Sequence, residues 1–170
     1  MLKILIDLLI IIFLIIFQVS FLATFQTPYS NFNFILIGVI FIVFIISFKR
    51  ALWWALIGGL ILELYSIFTF GAIVFSLLLT LIIIDILFDK FFTNRSYYSF
   101  ITLGLIGTLI YNGSLLGLNN FFYLLEINSF FESWNKLYLL KIFWQVILNV
   151  ALLSIAFLVY NYLKKTKKYS

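Results

Sequence analysis

Six runs of apolar residues, parted by short polar breaks, leave most of this chain only one possible solvent. They cover about 4–25, 32–48, 51–66, 71–88, 97–118 and 137–163. A bilayer-crossing helix needs about 20 mostly apolar residues, since each adds 1.5 Å of rise against a hydrocarbon core of about 30 Å. The second run is short, and it draws Asn31 to Asn33 into its first turn to gain length. Over the whole chain 65% of residues are hydrophobic and 10% are charged, against about 45–50% and 25% in soluble domains. Too little polar surface remains for a cytosolic enzyme, a disulfide scaffold or a disordered tail. The expected fold is all-α: a polytopic integral membrane bundle of about six transmembrane helices. It forms a single domain over 1–163, followed by a basic tail at 164–170. The first run has no small-residue cleavage site and reads as a retained span.

The basic residues orient the six spans. With the N-terminus inside, Lys3, Lys49, Arg50, Lys90, Arg95, Lys164, Lys165, Lys167 and Lys168 fall on the cytoplasmic side. The outer side receives only Lys136 and Lys141. Such a bias is the positive-inside pattern, and it places both termini in the cytoplasm of a multi-pass cell-membrane protein. The outer breaks at 26–33 and 66–70 carry no charge, and the first holds the sole proline, Pro28. The net charge of +5 is thereby explained by topology, and no nucleic-acid partner is expected.

Segment 119–136 has a different character. Phe121, Leu124, Leu125, Phe131 and Trp134 group on one helical face, with Glu126, Asn128, Ser129, Glu132 and Ser133 on the other. This pattern predicts an amphipathic helix at the outer interface before the last span. The alternative is a loop decorated with aromatics.

Chemistry has few residues to run on. There is no histidine and no cysteine, so the commonest general base, the commonest metal ligand and thiolate chemistry are all missing. A Ser–His intramembrane protease and a His-ligated zinc protease are excluded on that count. The Tyr-Asp and Gly-x-Gly-Asp elements of presenilin-like proteases do not occur, nor do the Asp-centred motifs of lipoprotein signal peptidases. Asp85 and Asp89 lie four residues apart beside Lys90, but the further acids of a metal-dependent lipid-phosphate transferase are absent. They read as a solvated helix end. No enzyme activity, cofactor or metal is expected.

Glu63, near the outer end of the third span, is the most conspicuous side chain. An acid inside a span faces the bundle interior, a partner or a cavity, unless it lies close enough to the helix end to reach water. Asn112, Gln145 and Asn149 either hydrogen-bond between helices or contact a small ligand. With Trp53, Asn112 and Gln145 would outline an outward pocket around Glu63. Gly58, Gly59, Gly71, Gly104 and Gly107, with Gly113 and Gly117, mark close helix packing. They nominate the third and fifth spans as the centre of the bundle.

The string Ala55-Leu56-Ile57-Gly58-Gly59-Leu60-Ile61-Leu62-Glu63-Leu64-Tyr65-Ser66, followed by Phe70-Gly71, resembles the rod shape-determining protein MreD family. The loop at Pro28 resembles that family's proline-marked loop and the basic pair Lys49-Arg50 its basic residue between spans two and three, and the length and five-to-six-span layout agree over nearly the whole chain. This sequence has Glu63 where the family usually has Asp, and Thr69 or Phe70 where it has Pro. The resemblance implies a non-enzymatic scaffold of the cell-wall elongation machinery. Its partners, beside the lipid bilayer, would be MreC-like and MreB-like proteins and wall synthases. The fold also resembles the substrate-binding subunits of energy-coupling-factor vitamin transporters, the rival expectation.

Overall fold

The computed structural model describes residues 2–25, 31–91, 96–126 and 136–166, and among these it contains six α-helices and no strand. They are α1 (Leu2–Ile16), α2 (Phe34–Ile45), α3 (Phe48–Glu63), α4 (Ala72–Phe91), α5 (Tyr97–Leu124) and α6 (Lys136–Thr166). A π-helical turn, Phe17–Phe21, and a 3-10 turn, Leu22–Thr24, extend α1. Four of these units are long and apolar enough to cross a membrane: Ile4–Phe21, Ala72–Phe91, Tyr97–Leu124 and Lys136–Thr166. The expected second and third spans form shorter helices. At 12 residues, α2 is only about 18 Å long.

Side-chain caps set the helix starts. Asn33, Ser47 and Ser96 accept hydrogen bonds from the backbone N–H of Leu36, Arg50 and Ser99, opening α2, α3 and α5. Only Ile46 and Ser47 separate α2 from α3, so the two run back antiparallel to each other. Helix α5 continues through residues 119–124, where the sequence pattern predicts the start of a separate interfacial helix. It stops where Glu126 takes a φ of 57°, a left-handed conformation that cannot propagate a helix. The rest of the expected amphipathic segment, 127–135, lies outside the described residues, as do Pro28, Arg95, Lys167 and Lys168.

Contrary to the expectation from glycine content, the central helix is α2. It touches each of the other five helices, and eight of its twelve residues are buried. An unbroken apolar sequence with no polar face is what a helix needs when neighbours surround it on every side. Around it, α1, α3, α4, α5 and α6 follow one another as successive neighbours. Gly58 and Gly59 of α3 and Gly104 and Gly107 of α5 serve this arrangement by admitting side chains from facing helices, whereas Gly113 and Gly117 of α5 are exposed and do not pack within the bundle as expected. A methyl group on Gly58 would sit 2.7 Å from Ile35, and one on Gly104 would sit 2.5 Å from Leu153. Gly107 leaves room for Ile84 and Ile40, and Gly59 for Val74. Gly38 of α2 does the same for the Trp54 ring. A methyl group on Gly71 would meet nothing within 4 Å among the described residues, and its φ is +95°; its part is to turn the chain into α4.

The two ends of the bundle differ. The end bearing Lys49, Arg50 and Lys90 is filled by rings, with Phe44 of α2 4.8 Å from Phe100 of α5 and 4.9 Å from Phe88 of α4. Phe157 of α6 lies 5.2 Å from Phe100. Toward the opposite end the interior holds buried amides, hydroxyls and one carboxylate.

Candidate functional site

Glu63 is the last residue of α3 and is 6% exposed. Its Oε1 accepts hydrogen bonds from the backbone N–H groups of Ile73, at 2.8 Å, and Val74, at 3.0 Å. Both belong to the first turn of α4, where N–H groups have no partner within their own helix. Gly71 has no side-chain oxygen with which to cap that turn, so the acid of the preceding helix does it. The positive end of the α4 dipole points toward this oxygen. Glu63 is thus neither snorkelling nor open to the surface. Its second oxygen, Oε2, is buried and has no hydrogen-bond partner among the described residues.

A second set of polar groups ties four elements together next to this cap. Asn149 of α6 accepts from the backbone N–H of Asn33 at 3.3 Å and donates to Thr108 Oγ1 at 3.4 Å. Thr108 in turn bonds back to the Gly104 carbonyl at 2.9 Å, and Asn112 Nδ2 donates to the Thr108 carbonyl at 2.8 Å. The Tyr138 hydroxyl donates to the Asn112 carbonyl at 3.4 Å. Tyr111 of α5, also buried, lies near both Asn33 and Glu63. Gln18 Oε1, just after α1, accepts from Phe34 N–H at 2.9 Å, so the start of α2 is held from both α1 and α6. Most of these groups satisfy helix ends or backbone carbonyls. Gln145 Oε1 and Asn31 Nδ2, like Glu63 Oε2, are buried without a partner among the described residues.

Of the five residues expected to contact a ligand or partner, four lie in this half of the molecule. Asn112 and Asn149 join one network, Gln145 is buried on the same face of α6 as Asn149, and Glu63 forms the α4 cap. Trp53 does not join them. It lies ten residues before Glu63 in α3, about 15 Å along the helix axis, and is 64% exposed at the basic end.

One further pair is not announced by the sequence reading. Asp7 of α1 and Arg50 of α3 form a two-pronged ion pair, with Arg50 Nε donating to Oδ2 at 2.8 Å and Nη2 to Oδ1. In the sequence Asp7 is an interruption of the first run, and Arg50 is a topology determinant alone. The signal is nonetheless present: an acid within an apolar run needs an opposite charge at its own depth. Arg50, near the start of the next helix running the same way as α1, supplies it. Lys49, Lys90, Lys164 and Lys165 lie at this same end of the bundle.

This chain matches no protein-family model, no curated protein and no solved structure.

Proposed function

We propose that this protein is a non-enzymatic membrane scaffold of the MreD type, in which six helices cross the cell membrane with both termini in the cytoplasm. The observation that carries this reading is how the bundle uses its polar side chains. Glu63 closes the α3–α4 turn, and Asn149 and Asn112 tie α6 and α5 to the start of α2. Groups that would greet a ligand in a transporter are largely occupied in holding helices together. The resemblance in the third span supports the same assignment. A surface for partner helices is also at hand. Gly113 and Gly117, four residues apart on α5, are exposed, and a methyl group added to either would meet nothing within 4 Å. In a membrane such a pair lets another helix approach closely. An MreC-like protein, with its single membrane helix, is the partner of fitting chemistry, and MreB-like proteins and wall synthases complete the assembly.

The test is crosslinking in intact cells followed by gentle purification. Wall-synthesis proteins are expected to accompany the wild-type chain and to be lost from a Gly113→Leu/Gly117→Leu variant that still folds. Their absence from the wild-type sample sinks the reading. Orientation can be read separately, because the chain has no cysteine. A membrane-impermeant maleimide applied to intact cells should label Ser66→Cys and spare Lys90→Cys.

The transporter-subunit reading keeps one specific support: the unpartnered buried atoms Glu63 Oε2, Gln145 Oε1 and Asn31 Nδ2. It predicts a small molecule that co-purifies with the protein and is released on denaturation, where the scaffold predicts none.

A further inference from the structure

Helix α1 lies at the edge of the bundle, with 11% of its membrane-spanning window buried. On its α3 side it leaves a groove of about 430 Å3, within the range of about 300–1,000 Å3 typical of small-molecule sites. The groove changes character along its length. Toward the membrane interior its walls are apolar, formed by Leu8 and Ile11 of α1 and by Trp54 and Ile57 of α3. At the basic end it is rimmed by Ser47, Lys49 and Arg50, with the exposed Trp53 beside them.

The polar rim has unspent capacity for an anion. Arg50 uses Nε and Nη2 on Asp7, and Nη1 makes no hydrogen bond among the described residues. Lys49 is exposed and has no ion-pair partner among them. Asp7 offsets one of the two cations, which leaves one net positive charge at the mouth. The first turn of α3, opened by Ser47, adds the positive end of its dipole. Within the groove wall, the Trp54 indole N–H is buried and likewise lacks an acceptor among the described residues.

An apolar slot running into the membrane and a cationic rim at its surface end suit a molecule with an acyl chain and an anionic head. We infer that the α1–α3 groove is a binding site for one anionic glycerophospholipid, with an acyl chain along Leu8, Ile11 and Ile57 and its phosphate at Lys49 and Arg50. Trp53, an amphipathic ring at headgroup depth, would bound the glycerol region. A zwitterionic lipid of the same chain length fills the slot equally well but brings its own cation to the rim, so the site discriminates by headgroup charge.

The full-length chain, purified in a neutral detergent and stripped of lipid, can be titrated with phosphatidylglycerol or phosphatidylcholine of identical chains and read by native mass spectrometry. One phosphatidylglycerol is expected per chain, bound at least about fivefold more tightly than phosphatidylcholine. Lys49→Gln, a change at an exposed side chain, should bring the two affinities within about twofold of each other. Leu8→Trp, which fills the slot, should weaken both lipids about tenfold. Should that variant misfold, Ile57→Phe narrows the slot from the α3 side and should weaken both in the same way. Excess inorganic phosphate should not displace the lipid, since the acyl chain carries much of the binding. Equal affinity of the wild-type chain for both lipids overturns the proposal. So does an unchanged preference in Lys49→Gln, or displacement by phosphate alone.

Discussion

The two ends of the bundle are held together by different physics. At the basic end, Phe44, Phe88, Phe100 and Phe157 pack ring against ring across four helices. At the other end, Asn33, Thr108, Asn112, Asn149 and Glu63 connect helices through directed hydrogen bonds. In lipid, moving an apolar face from solvent to a helix neighbour yields little hydrophobic gain, because the tails are as apolar as the side chains. The aromatic end must rely on packing density, which large rings supply. The polar end relies on fixing partners. It also fixes register, since a hydrogen bond from the Asn33 N–H to Asn149 specifies one depth for α6 against α2, whereas rings slide more freely. One end of the bundle thus specifies geometry, and the other is simply dense.

That contrast can be broken from either side. The largest effect is expected from Phe100→Ala, which opens a void among α2, α5 and α6. About 3 kcal/mol should be lost, the low end for Phe truncation in a core, because no water-to-apolar transfer is forfeited. Unfolding in mixed micelles followed by circular dichroism would measure it. Next comes Glu63→Ala, which strands one buried and one partly buried N–H group of α4. A loss of about 2 kcal/mol is expected, and Glu63→Gln should recover most of it because the amide oxygen still accepts. If the amide variant is as poor as the alanine, the carboxylate has a role besides capping. Asn149→Ala should cost about 1 kcal/mol, in keeping with hydrogen bonds between membrane helices. Asp7→Asn and Arg50→Gln, combined in a double-mutant cycle, should show a coupling of about 1 kcal/mol, since Arg50 is partly exposed and screened.

The elements themselves are legible in the sequence, because apolar runs separated by polar breaks are a strong signal in a bilayer. Ranges 97–118 and 137–163 foreshadow α5 and α6, although both helices extend beyond the apolar run. Helix ends follow hydrogen bonding, and the polar residues Asn119 and Asn120 continue α5 without difficulty. The centre of the bundle is not legible. Glycine marks where a facing side chain intrudes, as Leu153 does over Gly104, and a helix on the periphery can receive such an intrusion as readily as a central one. The better sign of centrality is the absence of any polar residue between Phe34 and Ile46, a negative feature that motif reading passes over. At the candidate site, polar residue types announce themselves, but their partners do not. Glu63 pairs with backbone N–H groups, which every residue but proline carries, so no sequence pattern singles them out. Trp53 and Glu63 belong to one helix but to opposite ends of it, a separation that follows from helix rise alone.

The smallest stability change is expected where the comparison between ends no longer applies, on the exposed face of α5. Gly107 is closed over by Ile84 and Ile40, while a methyl group on Gly113 or Gly117, about two and three turns further on, would meet nothing within 4 Å among the described residues. Gly107→Leu therefore forces a side chain into occupied space and should cost about 1–3 kcal/mol. Gly113→Leu and Gly117→Leu, at positions of ordinary helical backbone, should leave stability unchanged or raise it by a few tenths to about 1 kcal/mol through reduced freedom of the unfolded chain. A glycine pair kept at that cost to helix stability, on a face the bundle itself does not use, is expected to serve contact with another helix. Measured together, the two outcomes separate fold from recognition. A Gly113→Leu/Gly117→Leu chain as stable as wild type that still captures its partners places the docking surface elsewhere, and one that loses both stability and partners places these glycines in the fold.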